Sequence, residues 1–413
     1  MDYGFSVIGL AFNGMLQATM GLPVEFFFML SIVSVVTAFV AQNTLSRRSD
    51  TRGNRIPYIM TARAMQIGST LLIAFIHEPW IFILTVIMNG FVSAESTANV
   101  IVYELIDEKQ KELGPDIAAK FNKSREFAKY RLFGSIGWAW TAPFGGMAIK
   151  ALNGTNGNLY LGYTVMYCIS AAGMAVTAAF LYYILRGRNG RPAFWESPGG
   201  TSACTSSPRF YLSTAFLMLV STSFLYAISH AIQASPFPRY LKEGLGAGED
   251  YYGLLMFLWA TAEVPLFFLS SHLVKKRGWR LLILLSLVFN EAKLIAFSFS
   301  TTPVMLWLVA AVHVLNPFGI SFPARTYAIT NEIATDRKAL GLTLHDSFSS
   351  LGTFIGSITG MVIAAWLGTV ANTMAGYQFF FTISMLITAS AICVFLGFEA
   401  VGRSKRKSKP ALA

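Results

Sequence analysis

The stretches Ser49-Asp50-Thr51-Arg52-Gly53-Asn54-Arg55 and Lys275-Lys276-Arg277-Gly278-Trp279-Arg280 are each a short basic turn carrying a glycine, set between two long apolar runs. Glycine permits the sharp reversal between adjacent helices, and an acid such as Asp50 can sit at a helix terminus or pair with arginine. Alone, either stretch reads as an ordinary positive loop on the inner face of a membrane. The pattern recurs at the corresponding place in the two halves of the chain, which points to duplication of one structural unit.

Working outward from these loops, the 413 residues are 54% hydrophobic and only 13% charged, with a mean hydropathy of +0.52. Water-soluble domains carry about twice that charge. A spanning helix needs about 20 mostly apolar residues, and the sequence contains twelve such runs, at about 4–20, 22–46, 56–76, 79–102, 131–152, 160–185, 210–235, 250–272, 280–299, 302–324, 341–369 and 376–398. The fold class expected is an all-α membrane protein with twelve transmembrane helices in two pseudo-symmetric six-helix bundles. Residues 1–186 form the first bundle, 187–208 a Gly-, Pro- and Ser-rich linker, 209–400 the second bundle, and 401–413 a basic tail.

The formal charge of +11 raises the question of nucleic acid, and its distribution answers it. Of the 32 Lys and Arg, 27 fall in alternate loops and the tail. The positive-inside rule places those loops, and both termini, in the cytoplasm. The charge is therefore topogenic, and no nucleic-acid partner is expected. Three widely spaced cysteines exclude a disulfide scaffold. There is no Gly-Lys-Ser phosphate loop, no His-Glu-x-x-His, no Gly-x-Ser-x-Gly and no Cys/His metal spacing, so neither an enzyme nor an ATP-driven pump is expected, and no cofactor or metal. The N-terminus lacks the positive start and small-residue cleavage site of a signal peptide.

The first loop resembles the signature loop of the major facilitator superfamily, Asp-Arg-x-Gly-Arg-Arg. Here it reads Asp50-Thr51-Arg52-Gly53-Asn54-Arg55, and the second copy has no acid. A narrower resemblance rests on Tyr130-Arg131-Leu132-Phe133-Gly134-Ser135-Ile136-Gly137-Trp138, on Glu263-Val264-Pro265 with Phe267-Phe268 and Lys276-Arg277-Gly278, and on His313. Together these are similar to the branch holding lactose permease-like, nucleoside and phenylpropionate proton symporters. Span one is several residues shorter than that pattern. The resemblance implies that spans one, four, seven and ten line a central cavity, with two, five, eight and eleven beside them.

Ionisable residues inside the membrane are costly, about 2.5–3.5 kcal/mol each on insertion scales, and so are functional candidates. Glu263, Glu291 and His313 fall near the midplane of spans eight, nine and ten, the depth of substrate sites in secondary transporters. Glu263 is the leading proton-coupling carboxylate, because burial disfavours the charged form of a group that must gain and lose a proton. The bland alternative is a hydrogen bond to backbone freed by Pro265. His313 is the second coupling candidate, against a packed helix histidine.

Tyr226, His230 and Gln233 share one face of span seven, His313 and Asn316 one face of span ten. With Glu95 and Asn99 of span four and Trp259 of span eight, Tyr226, His230, Gln233 and Asn316 are the expected cavity contacts. Arg63 and Glu95 form a possible ion pair between neighbouring spans. Glu291 and Lys293 point to different faces, and His345 and Asp346 sit at the cytoplasmic start of span eleven as a gate or a surface pair. Gly352, Gly356 and Gly360 repeat every fourth residue and permit close helix approach.

The function expected is secondary active transport of a small organic solute by alternating access, as proton-coupled symport. A proton-antiport exporter of amphipathic compounds and a non-transporting receptor or scaffold are the alternatives. The partners are the solute, protons and membrane lipid, around a monomer in the inner or plasma membrane.

Overall fold

The computed structural model describes residues 11–52, 56–90, 106, 109–110, 112, 123–153, 158–186, 210–334 and 338–407. Among them the chain is helical, with no strand. Among the described residues, eight helices are long and apolar enough to cross a membrane, by length and composition.

The helices follow the apolar runs and often outlast them. Span two runs Val24–Arg52, so Asp50 and Arg52 lie in its last turn, while Gly53 and Arg55 fall outside the described residues. Span four is described over Pro79–Gly90 only, which leaves Glu95 and Asn99 outside. Span five extends over Lys123–Asn153, and span twelve over Met374–Lys407. The linker 187–208 lies outside the described residues.

The second basic turn is built as its sequence suggests. Span eight, Glu249–Arg277, stops at Gly278, whose φ of 82° belongs to the left-handed region, and span nine, Trp279–Phe299, starts at once. A side chain at this position would meet the steric penalty that glycine avoids.

Span ten departs from the single helix predicted over about 302–324. It breaks into Leu306–His313 and Pro317–Tyr327. Proline has no N–H and pushes the preceding residue toward extended backbone, and Asn316 adopts φ −91°, ψ 101°. Its side-chain oxygen accepts a hydrogen bond from the Gly319 amide at 3.1 Å, capping the second piece. Pro323 then frees the Gly319 carbonyl four residues back, and Ser270 of span eight donates to that carbonyl at 3.2 Å. In lipid each freed backbone group needs such a partner.

The chain divides into two compact units. The first holds residues up to Leu22, Val33–Ala203 and Gly248–Ala260; the second holds Pro23–Ile32, Cys204–Ala247 and Thr261–Ala413. In the first, span three (Ile56–Phe75) packs on span six (Leu161–Arg186) and span four. In the second, span seven (Thr214–Ala234) packs against span eleven (Lys338–Leu367) and span twelve, and span nine packs on spans ten and twelve. Trp279, Ile283, Leu287, Ile320 and Phe395 are buried in its core.

The small-residue stripe of span eleven has an identified partner. A Cβ at Gly352 would lie 2.6 Å from the Phe224 carbonyl oxygen, and one at Gly356 2.6 Å from that of Ile228. Gly352 and Gly356 thus seat span eleven on the backbone of span seven, as small residues do in membrane helix pairs, while Gly360 faces the Phe28 ring of span two.

Candidate functional site

Spans seven, nine, ten and eleven line a partly open cavity of about 170 Å³ inside the second unit. Span seven contributes Thr222, Ser223, Tyr226, Ala227 and His230; span nine Ile283, Ser286 and Leu287; span ten Phe318, Ser321 and Arg325; span eleven Ser349 and Thr353. Helical periodicity puts residues three or four apart on one face, which is why Tyr226 with His230, and Ser321 with Arg325, reach the same space. The Tyr226 and His230 rings lie 5.9 Å apart, tilted by 32°.

Arg325 is held by aromatic faces. Its guanidinium carbon lies 4.9 Å from the centroid of Phe322 and 5.9 Å from that of Phe318, distances at which the cation is attracted to the ring quadrupole. Beside the cavity, His345 is fully buried, with Nε2 2.9 Å from the Ser223 hydroxyl and Nδ1 3.1 Å from Asp346. His345 thus ties span eleven to span seven behind the lining residue Ser223, with Asp346 exposed beside it; the sequence offers a gate or a surface pair here.

Of the expected cavity contacts, Tyr226 and His230 line this space, whereas Gln233 and Asn316 do not. Gln233 donates to Asn290 of span nine at 3.2 Å, and Asn290 donates to Thr388 of span twelve at 3.1 Å. Ser229 meets the Thr388 hydroxyl at 2.7 Å, extending one buried network across three helices. Asn316 is spent on the cap of span ten. Trp259 is half-buried in the part of span eight that groups with the first unit.

The two coupling candidates occupy different surroundings. Glu263 is half-buried where span eight touches span ten: a Cβ at Gly319 would lie 3.4 Å from the Glu263 Cα and carbonyl oxygen. His313 ends the first piece of span ten, stacked on Phe237 at 5.6 Å and tilted against Phe297 at 6.1 Å. Its Nδ1 is buried without a hydrogen-bond partner among the described residues. Lys293 lies over the Phe297 ring at 5.9 Å, and Glu291 Oε2 is buried without a hydrogen-bond partner among the described residues. Arg63 donates to Gln66 on its own helix at 2.6 Å; its expected partner Glu95 is outside the described residues.

Sequence reasoning did not single out Arg325, which it counted among the 27 basic residues of the cytoplasmic loops and tail. The signal available was its spacing, four residues after Ser321 and seven after Phe318, on a helix started by a capped proline. It also missed Ser286 and Thr353, which carry no charge to mark them.

In the first unit, the start of span eight is bonded to spans five and six. Tyr163 donates to Glu249 at 2.8 Å in a buried bond, and Lys150 pairs with Asp250 at 2.7 Å near the surface.

Helices with polar groups inside the membrane and a solute-sized cavity among four of them define a multi-pass membrane transporter. The chain belongs to the MFS_1 like family, whose model matches residues 5–394; this is a family of transporters, not enzymes. The Sugar efflux transporter A of Escherichia coli (strain K12) is 25% identical over 326 residues, covering 78% of this chain and 76% of that protein. Among solved structures, the nucleoside transporter NupG is similar with a TM-score of 0.69 and 13% identity, covering 97% of this chain and 96% of the other. A bacterial homolog of the human lysosomal transporter Spinster has a TM-score of 0.68 and 14% identity, covering 97% and 94%. The xylose transporter XylE from E. coli has a TM-score of 0.62 and 11% identity, covering 94% of each chain. At such identities the structures share the fold, which extends over nearly the whole chain.

Proposed function

We propose that the protein moves a small polyhydroxylated organic solute across the inner or plasma membrane by alternating access, with protons as the coupling ion and both termini in the cytoplasm. The observation that carries this reading is the convergence of Tyr226, His230 and hydroxyl side chains from four spans on one volume of about 170 Å³. A polyol exchanges water hydrogen bonds for protein ones at little net cost only where donors and acceptors surround it. The similarity to a sugar efflux transporter supports the same class of solute.

Glu263 is the coupling acid in this reading. Its support is a half-buried glutamate at mid-span, whose backbone lies against Gly319 of span ten, two residues before a proline that leaves a carbonyl four residues back without its helical donor. His313, enclosed by Phe237 and Phe297, serves span-ten packing and remains a secondary proton site. The working direction is symport. The sugar efflux relative favours a second reading, export of the same solute in exchange for protons.

The test is flux of labelled monosaccharides and nucleosides into proteoliposomes holding the full chain. Tyr226→Ala and His230→Ala are expected to lower the flux of the accepted solute about tenfold, the loss of one or two hydrogen bonds. Unchanged flux in both variants would remove the cavity from the transport path. Solute binding without flux would point to a receptor instead.

A further inference from the structure

A chain of hydrogen bonds leaves the second unit's cavity through span eleven. Ser223 of span seven lines the cavity, and its hydroxyl meets His345 Nε2 at 2.9 Å. His345 Nδ1 meets Asp346 Oδ1 at 3.1 Å. His345 is 0% exposed, whereas the Asp346 side chain beyond it is 66% exposed. Both residues lie in the opening turns of span eleven, the end that the positive-inside reading assigns to the cytoplasm.

Donor chemistry orders this chain. A carboxylate only accepts, so Nδ1–H donates to Asp346, the other nitrogen of the neutral ring accepts, and the Ser223 hydroxyl donates to it. Each member can take a proton on one side and release another on the opposite side, as acids and histidines do in the proton relays of pumps and transporters. A tie between two helices needs only the Ser223 bond. The second bond, to an exposed acid, adds a way out.

The charged group of span ten within electrostatic reach of both His345 and Asp346 is Arg325. On span seven, Tyr226 lines the same cavity three residues beyond Ser223, and past the end of span ten Glu332 accepts from the Trp279 indole at 2.7 Å. A second positive charge beside Arg325 is unfavourable, which favours passage of a proton through His345 over its storage there.

We propose that Ser223, His345 and Asp346 form a proton path between the cavity and the cytoplasm. As a proton from cavity water joins the Ser223 oxygen, the hydroxyl's own proton moves to Nε2, the Nδ1 proton passes to the Asp346 carboxylate, and Asp346 releases it to water. One proton enters and one leaves, and reorientation of the hydroxyl and the ring resets the chain. This rests on the reading of the protein as proton-coupled and adds the route by which the coupling proton leaves.

The experiment compares two rates in proteoliposomes holding the full chain: the solute-driven pH change, and exchange of labelled for unlabelled solute, which needs no proton release. The solute is a monosaccharide or nucleoside that the wild-type chain moves. His345→Gln keeps a hydrogen-bonding side chain but cannot carry a proton, and Asp346→Asn alters an exposed group. Each is expected to slow the pH change about tenfold or more, with exchange within about twofold of the parent, and Asp346→Glu should restore part of the rate. Should His345→Gln fail to fold, Asp346→Asn and Asp346→Glu decide the matter. An undiminished pH change in either loss variant, or pH change and exchange falling together, overturns the path alone. Wild-type flux without a pH change overturns proton coupling and the path with it, and absence of flux for every solute overturns the solute reading as well.

Discussion

The His345 Nε2 lies 2.9 Å from the Ser223 hydroxyl, tying span eleven to span seven at the cavity wall. His345 is fully buried, so its removal leaves a hole and an unsatisfied hydroxyl. His345→Ala is expected to cost about 2–4 kcal/mol and Ser223→Ala about 1 kcal/mol. Thermal melting of the two purified variants and of the double variant checks this, and the double should cost less than the two single changes added together.

Span eleven sits on span seven through Gly352 and Gly356, where an added methyl meets backbone at 2.6 Å. Gly352→Ala and Gly356→Ala are expected to destabilise by about 1–3 kcal/mol each, because backbone yields less readily than a flexible side chain. Gly397 of span twelve has open space around it, so Gly397→Ala should be neutral or gain up to about 1 kcal/mol from helix propensity. Equal losses at all three positions would contradict the packing described.

The Gln233–Asn290–Thr388 network predicts a separation of stability from transport. Asn290→Ala leaves two buried partners short and should cost about 2–4 kcal/mol. Gln233→Leu should cost about 1–2 kcal/mol, with flux per folded molecule within about twofold of the parent. Melting and flux measured on one preparation check both.

At the start of span eight, two adjacent acids should behave differently. The Lys150–Asp250 pair is exposed, at 58% and 34% for the two side chains, and Asp250→Asn should cost less than about 1 kcal/mol, falling with salt. The Tyr163–Glu249 bond is buried, and Tyr163→Phe should cost about 1–3 kcal/mol with little salt dependence. Melting curves at low and high ionic strength distinguish them.

The fold was legible because a membrane makes composition decisive: apolar runs of spanning length, basic alternate loops and a duplicated glycine turn leave few architectures open. The Gly278 turn and the Gly352–Gly356 stripe follow from single-residue chemistry that needs no partner to be recognised. Span ten's break was also written in Asn316-Pro317, a cap followed by a residue without an amide, although the hydropathy run passes through it. The site was less legible. Periodicity placed Tyr226 and His230 on one face correctly, but Gln233 on the same stripe turns to Asn290, since spacing gives direction along a helix and not the neighbour that waits there. Arg325 escaped notice because a cation near the cytoplasmic end of a span satisfies the topogenic rule, and only the fold places it at the cavity beside the Phe318 and Phe322 faces.

The most direct measurement for proton-coupled transport is the external pH of lightly buffered proteoliposomes holding the full chain, as a transported monosaccharide or nucleoside is added outside. Alkalinisation is expected from symport, with protons entering alongside solute, and acidification would mark the exchange reading. In Glu263→Gln the pH signal should vanish while exchange of labelled for unlabelled solute survives. Solute flux by the wild-type chain with no pH change, or an undiminished pH signal in Glu263→Gln, would contradict coupling through this acid.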